Sequence, residues 1–160
     1  MDLITTHLNA DFDGLASMVA ARKLYPGAVL VFPGGAQESV RNFLAEHDVG
    51  ICRLKDVALE QVHRLILVDV QEPERIGPLK VLSSRQDLDV HIFDHHGNGE
   101  GSEVSVWPSV TERQVEPVGA TATLLIERLK AQQVVLTADE ATVLAMGLYE
   151  ETGSLAYPST

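Results

Sequence analysis

Five short apolar runs, rich in Val, Ile and Leu and lacking strict polar alternation, constrain this chain more than any other feature. They occupy residues 3–7, 28–32, 50–53, 65–70 and 90–93. A strand that buries one face alternates apolar and polar side chains. A strand buried on both faces does not, and that is the pattern of a parallel sheet covered on each side. Between the runs, residues 15–25 and 38–47 have helical spacing, the first ended by Pro26-Gly27. Residues 73–83 read as a weaker helix interrupted by proline. The pattern predicts an α/β fold, doubly wound, with a mainly parallel sheet and helices on both faces.

The last third changes character. Residues 103–107 are expected to form an edge strand, and residues 95–102, HHGNGEGS, a mobile glycine-rich loop. Residues 119–132 place Ala122, Leu125, Ile126 and Leu129 on one helical stripe. Thr137-Ala-Asp-Glu140 reads as a capping box, with Ala141, Leu144, Ala145 and Leu148 as the stripe behind it. There is no internal repeat, and 160 residues suit one domain, 1–160, with a core of its own.

Composition excludes several functions. A formal net charge of −11 repels polyanions, which argues against a protein that coats nucleic acid, although bound divalent cations would reverse the field locally. No apolar run approaches the roughly 20 residues that cross a bilayer. The apolar start is broken at once by His7, Asn9 and Asp11, unlike a signal peptide. A single cysteine, Cys52, excludes an internal disulfide; it is expected as a small buried side chain in a reducing, cytoplasmic setting.

The runs end in chemistry. His7-Leu-Asn-Ala-Asp11-Phe-Asp13 joins one imidazole and two carboxylates at a strand end, a ligand set for a divalent ion such as Mn²⁺. The competing reading makes Asp11 or Asp13 a helix cap and His7 a structural histidine. Asp69 closes Leu65-Ile-Leu-Val and is either a turn residue or a carboxylate placed to bridge two cations. Asp94-His95-His96 ends the fifth run, and a core has no use for such a triplet; Asp94 is placed to orient a neighbouring imidazole. Glu150 and Glu151 end the last helix, where acids oppose the dipole unless a cation compensates; the alternative reading is a solvated helix end. His47, His63 and His91 lack such company and read as structural or surface residues. The N–H groups near Gly119-Ala-Thr121-Ala-Thr123 either meet a phosphate or simply start a helix.

The order of these clusters resembles the DHH phosphoesterase family, named for the triplet seen here as Asp94-His95-His96, and the likeness covers essentially the whole chain. The resemblance implies two metal sites. His7, Asp11 and Asp69 would hold one; Asp13, Asp69, His95 and Glu151 would hold the other, with Asp69 as the bridge. Asp69, Asp94 and His96 would carry the chemistry, His96 facing the substrate phosphate and Asp94 steadying the triplet. The implied cofactor is Mn²⁺, with Mg²⁺ as the alternative. The implied substrates are phosphodiesters or phosphoanhydrides: short oligonucleotides, cyclic dinucleotides or pyrophosphate. A homodimer is compatible with the resemblance.

Two departures stand out. The family's Asp-Thr-Gly appears here as Glu151-Thr152-Gly153, one methylene longer, so the second site is expected to be the weaker. The family's C-terminal substrate-binding domain is absent from this chain, which reads as the first piece of a longer protein with further domains attached. Its opening is similar to the module joined to tRNA nucleotidyltransferase or poly(A) polymerase-like domains in some bacterial proteins. The rival to an enzyme is therefore a non-catalytic domain that senses nucleotide or phosphate and regulates an attached RNA nucleotidyltransferase.

Overall fold

The computed structural model describes residues 1–97 and 107–157. Six parallel strands run β1 (Asp2–Thr5), β2 (Val29–Val31), β3 (Ile51–Cys52), β4 (Arg64–Val68), β5 (Asp89–Asp94) and β6 (Val110–Val115), in spatial order β3-β2-β1-β4-β5-β6. Four α-helices accompany them: α1 (Phe12–Leu24), α2 (Glu38–Glu46), α3 (Thr121–Ala131) and α4 (Ala138–Glu151).

The absence of alternation is explained by two cores. Ile4, Ile66, Val68 and Phe93 point into the layer made by α1 to α4. Their neighbours Leu3, Leu65, Leu67, Val90 and Ile92 point into the other, closed by Ile76, Leu79, Leu82 and Trp107. The second face is covered by 3-10 segments rather than α-helices, the longest being Pro73–Ser84. Pro78 lacks an N–H and clashes with a preceding helical turn, and the backbone breaks at Ile76 and Gly77, where φ is +52°.

Three expectations are corrected. The sixth strand lies at Val110–Val115, not at 103–107; residues 103–106 lie outside the described residues, as do 98–102 of the glycine-rich stretch. Trp107 instead fills the core and donates its indole N–H to Gln71 O at 2.8 Å. The true strand, VTERQV, is polar because an edge strand tolerates charge and is protected by it. Helix α4 buries Val143, Leu144 and Gly147, while Ala141 and Ala145 are exposed. It packs through Gly147, where a Cβ would lie 2.5 Å from Ala16 Cβ and 2.9 Å from Phe12 O. Cys52 is exposed, because the two-residue β3 sits at the sheet margin. Among the described residues no helix is long and apolar enough to cross a membrane.

Candidate metal centre

In this strand order the chain leaves β1 toward one face and β4 toward the other, so a crevice opens above their carboxyl ends. Ligands collect at such a switch point. His7 lies just past β1, Asp69 follows β4 directly, and Asp94 closes β5 ahead of His95 and His96. Asp11 and Asp13 arrive with the start of α1, and Glu151 with the end of α4.

The turn from β1 into α1 is set by the backbone. Asn9 takes a φ of +57°, a region Asn enters more readily than most residues, so it shapes the turn. Asp11 is the N-cap, its Oδ1 accepting from Gly14 N at 2.9 Å, while its Oδ2 stands 3.4 Å from His7 Nε2. The capping and ligand readings are thus both met by one carboxylate, through different oxygens.

Asp69 is central. Its Oδ2 lies 3.3 Å from His7 Nε2, and its Oδ1 lies 3.6 Å from His95 Nε2. It is almost wholly buried and adopts a φ of +59°, a strained conformation that turns the carboxylate into the crevice. The Thr121 hydroxyl donates to Oδ1 at 2.9 Å, and Asp69 N–H donates to Phe93 O at 2.9 Å.

On the other side, His95 Nδ1 lies 2.9 Å from Val118 O, to which it donates, and this leaves Nε2 as the bare nitrogen. That atom is buried without a hydrogen-bond partner. Around it stand Asp69 Oδ1 and Glu151 Oε1, each at 3.6 Å, and Asp13 Oδ2 at 3.9 Å. Asp13 is fully buried and accepts from Thr121 N at 2.7 Å and Ala122 N at 2.9 Å. The first amides of α3 therefore meet this carboxylate, and the alternative in which they take a phosphate is not what the structure shows. A cavity of about 330 Å³ lined by His95, Pro117, Val118, Gly119, Glu151 and Tyr157 opens beside the group. A larger one of about 490 Å³, lined by Arg22, Phe43, His47 and Glu140 among others, contains none of these residues. Chemistry, not volume, marks the site.

His96 is half exposed. Its Nδ1 lies 2.9 Å from Asp94 Oδ1 and 3.5 Å from Asp69 Oδ1. Asp69, His95 and His96 also form a triad compact enough for an ion. Asp94 is the hydrogen-bond partner of His96 Nδ1, since its contact is the shorter of the two. Asp94 also accepts from His96 N at 3.1 Å, and Gln71 Nε2 donates to His96 O at 2.8 Å.

Electrostatics describe a site short of positive charge. Burial works to keep His7 neutral, but hydrogen bonds to Asp11 and Asp69 outweigh it and push its pKa up to about 10. Burial, then the nearby Asp69 charge, holds Asp13 well above the usual carboxylate range. Burial likewise raises Glu151. Burial also opposes ionisation of Asp94, yet the His96 hydrogen bonds lower it; His96 is raised, chiefly by Asp94. Burial and mutual repulsion oppose the charged form of Asp13 and Glu151, which divalent cations would neutralise.

The residues present fit such cations. Ligands about 2.0–2.2 Å from one ion lie roughly 3.0–3.6 Å apart. The His7 contacts at 3.3 and 3.4 Å and two of the His95 contacts at 3.6 Å match, with Asp13 slightly wide at 3.9 Å. His7, Asp11 and Asp69 also form a compact triad. Of the two terminal glutamates, Glu150 accepts from Phe12 N at 2.8 Å and Ser39 Oγ at 3.1 Å, so the amino end of α1 compensates it. Sequence reasoning missed Glu150's anchoring role, the Thr121 hydroxyl on Asp69, and Gln71. Only the pairing of two acids at one helix end hinted at the first.

A profile of the DHH family, N-terminal domain, matches residues 3–148. The chain is 43% identical over its whole length to an A-adding tRNA nucleotidyltransferase of Geobacter sulfurreducens, and 29% identical over 94% of its length to one of Aquifex aeolicus. It spans 18% and 17% of those proteins. It is 25% identical to a probable manganese-dependent inorganic pyrophosphatase of Lactobacillus delbrueckii, over 99% of this chain and 50% of that protein. An exopolyphosphatase-related protein of Bacteroides fragilis shares the fold, with a TM-score of 0.76 at 16% identity over 99% of this chain and 48% of that one.

Proposed function

The chain belongs to the DHH family, and we propose that it is a phosphoesterase domain that uses two divalent cations, Mn²⁺ before Mg²⁺, to hydrolyse phosphodiester or phosphoanhydride bonds. One observation carries the reading: the buried Asp69 turns one oxygen to His7 and the other to His95, whose Nε2 has no partner and faces three carboxylates. A likeness to a probable manganese-dependent pyrophosphatase supports the choice of ion.

His7, Asp11 and Asp69 would hold one cation, and Asp13, Asp69, His95 and Glu151 the other. Bound there, the cations would acidify a water and offset charge on phosphoryl oxygens. The chain does the rest. Thr121 and the α3 amides fix the orientation of Asp69 and Asp13. Val118 O holds His95 in the tautomer that bares Nε2. Asp94 accepts the Nδ1–H of His96 and favours its imidazolium form, whose Nε2–H would donate to a phosphoryl or leaving-group oxygen.

A second reading is favoured by the relatives named A-adding tRNA nucleotidyltransferase, of which this chain covers under a fifth. In it the domain works beside an RNA nucleotidyltransferase module, sensing nucleotide or phosphate without turnover. The two separate in one experiment: Mn²⁺ titration by calorimetry, then hydrolysis of short oligonucleotides, cyclic dinucleotides and pyrophosphate. The enzyme reading expects two Mn²⁺ and metal-dependent product. Metal and nucleotide binding without product selects the sensor. No Mn²⁺ uptake sinks both.

A further inference from the structure

Every arginine among the described residues hydrogen-bonds a carbonyl or a side chain, except one. Arg22 and Arg41 hold the carbonyls of Val49 and Ala36, Arg64 and Arg128 hold acids, and Arg113 donates to Gln71. Arg75 makes only an ion pair to Glu72 at 4.0 Å, with both side chains about half exposed. Yet its backbone is tightly placed. Leu8 N–H donates to Arg75 O at 2.7 Å, and Arg75 N–H donates to Glu72 O at 3.1 Å. The chain then breaks at Gly77, where a Cβ would lie 2.9 Å from Leu8 Cδ2 and 3.4 Å from Pro33 O. This close approach seats Arg75 against Leu8, the residue after His7.

We infer that Arg75 is a phosphate-binding residue of this site, its guanidinium taking non-bridging phosphate oxygens of the substrate. The inference rests on the phosphoesterase reading above. The chemistry follows from the setting. The chain carries a net charge of −11, so an anionic substrate approaching the crevice needs cations beyond those that ligate its reacting phosphate. A guanidinium presents a planar fork to two phosphate oxygens, which a lysine cannot copy. The backbone of Arg75 is already held, so only its side chain has to be ordered on contact.

The test is calorimetric titration of inorganic phosphate into the Mn²⁺-loaded chain. Arg75→Ala should weaken phosphate binding about ten- to hundredfold. Arg75→Lys should fall between the two, and Arg53→Ala, a surface arginine paired with Asp56, should stay within about twofold of wild type. Mn²⁺ uptake by Arg75→Ala should not fall. Equal phosphate affinity in wild type and Arg75→Ala, or no phosphate binding by a wild type that takes Mn²⁺, overturns this inference alone. Joint loss of Mn²⁺ and phosphate binding in Arg75→Ala overturns it too, as a folding effect. A wild type that takes no Mn²⁺ overturns the reading beneath it as well.

Discussion

The two ends of the sheet carry similar residues and differ in how they are neutralised. At the amino ends, Asp2, Asp89, Glu112 and His91 gather, and the chain supplies its own cations. Arg64 binds Asp89 at 2.7 Å and Asp2 at 3.2 Å, and Arg128 pairs with Glu112. Both nitrogens of His91 are occupied, Nδ1 by Tyr25 Oη at 2.6 Å and Nε2 beside Asp89 at 3.3 Å. At the carboxyl ends, Asp11, Asp13, Asp69 and Glu151 form no ion pair with Lys or Arg among the described residues, and His95 Nε2 is orphaned. A cluster of acids and imidazoles is therefore not diagnostic by itself. What distinguishes a structural network from a candidate metal centre is whether the protein closes it with its own cations.

The comparison breaks most visibly at Asp69. Saturating Mn²⁺, at about a hundredfold over Kd, should stabilise the wild type by about 2.7 kcal/mol, or roughly 5–10 °C in Tm for a chain of this size. Asp69→Asn should lose most of that gain, since it damages both sites, and differential scanning fluorimetry with and without Mn²⁺ reads it directly. An unchanged Mn²⁺ shift would mean the carboxyl-end cluster is as self-contained as the other.

Arg128→Met probes the opposite end. It removes the pair with Glu112, a hydrogen bond to Gln114 at 2.5 Å and a cation 4.6 Å above the Phe93 ring. The cost should be about 1–2 kcal/mol, with the Mn²⁺ shift preserved. There is also a pH signature. Burial raises the Glu112 carboxyl, but Arg128 outweighs it and holds the group below its ordinary value. Its contribution is then present above the unfolded pKa, near 4.3, and lost as pH falls through the folded one. Arg128→Met should flatten that acid limb. A shrunken Mn²⁺ shift would show instead that the two ends are coupled through α3, which carries both Arg128 and Thr121.

These contrasts were only partly legible in the sequence. The parallel sheet was readable because burial on both faces suppresses alternation in runs such as LILV at 65–68, and the strand ends showed where His7, Asp69 and His95 would meet. The edge strand at 110–115 was not, because its polarity matches that of a loop. Nor was the packing face of α4, set by Gly147, a residue that adds nothing to an apolar stripe. The arginines that neutralise the amino-end acids come from β4 and α3, far apart in the chain. Local spacing cannot show which carboxylates have been claimed. For the same reason Glu150 and Glu151 looked equivalent until α1 was seen to take the first.

The smallest effect concerns the second. The family resemblance suggested that a glutamate in place of the family's aspartate would weaken its site. The geometry argues for the reverse, since Glu151 Oε1 stands 3.6 Å from His95 Nε2, as does Asp69 Oδ1. The backbone of α4 is not free to compensate for a shorter side chain. Glu150 ties its end to Phe12 N, and Gly147 seats it against Ala16. Glu151→Asp would withdraw the carboxylate by roughly 1.5 Å, the length of one C–C bond, against a ligand tolerance of about 0.2 Å. The second Mn²⁺ should therefore bind up to about tenfold more weakly, with the first little affected because Glu151 is not among its proposed ligands, His7, Asp11 and Asp69. Calorimetry resolving two binding events measures it. If Glu151→Asp instead tightens the second event, glutamate is a poor fit held at a distance, and the two halves of the centre are less alike than their matching distances imply.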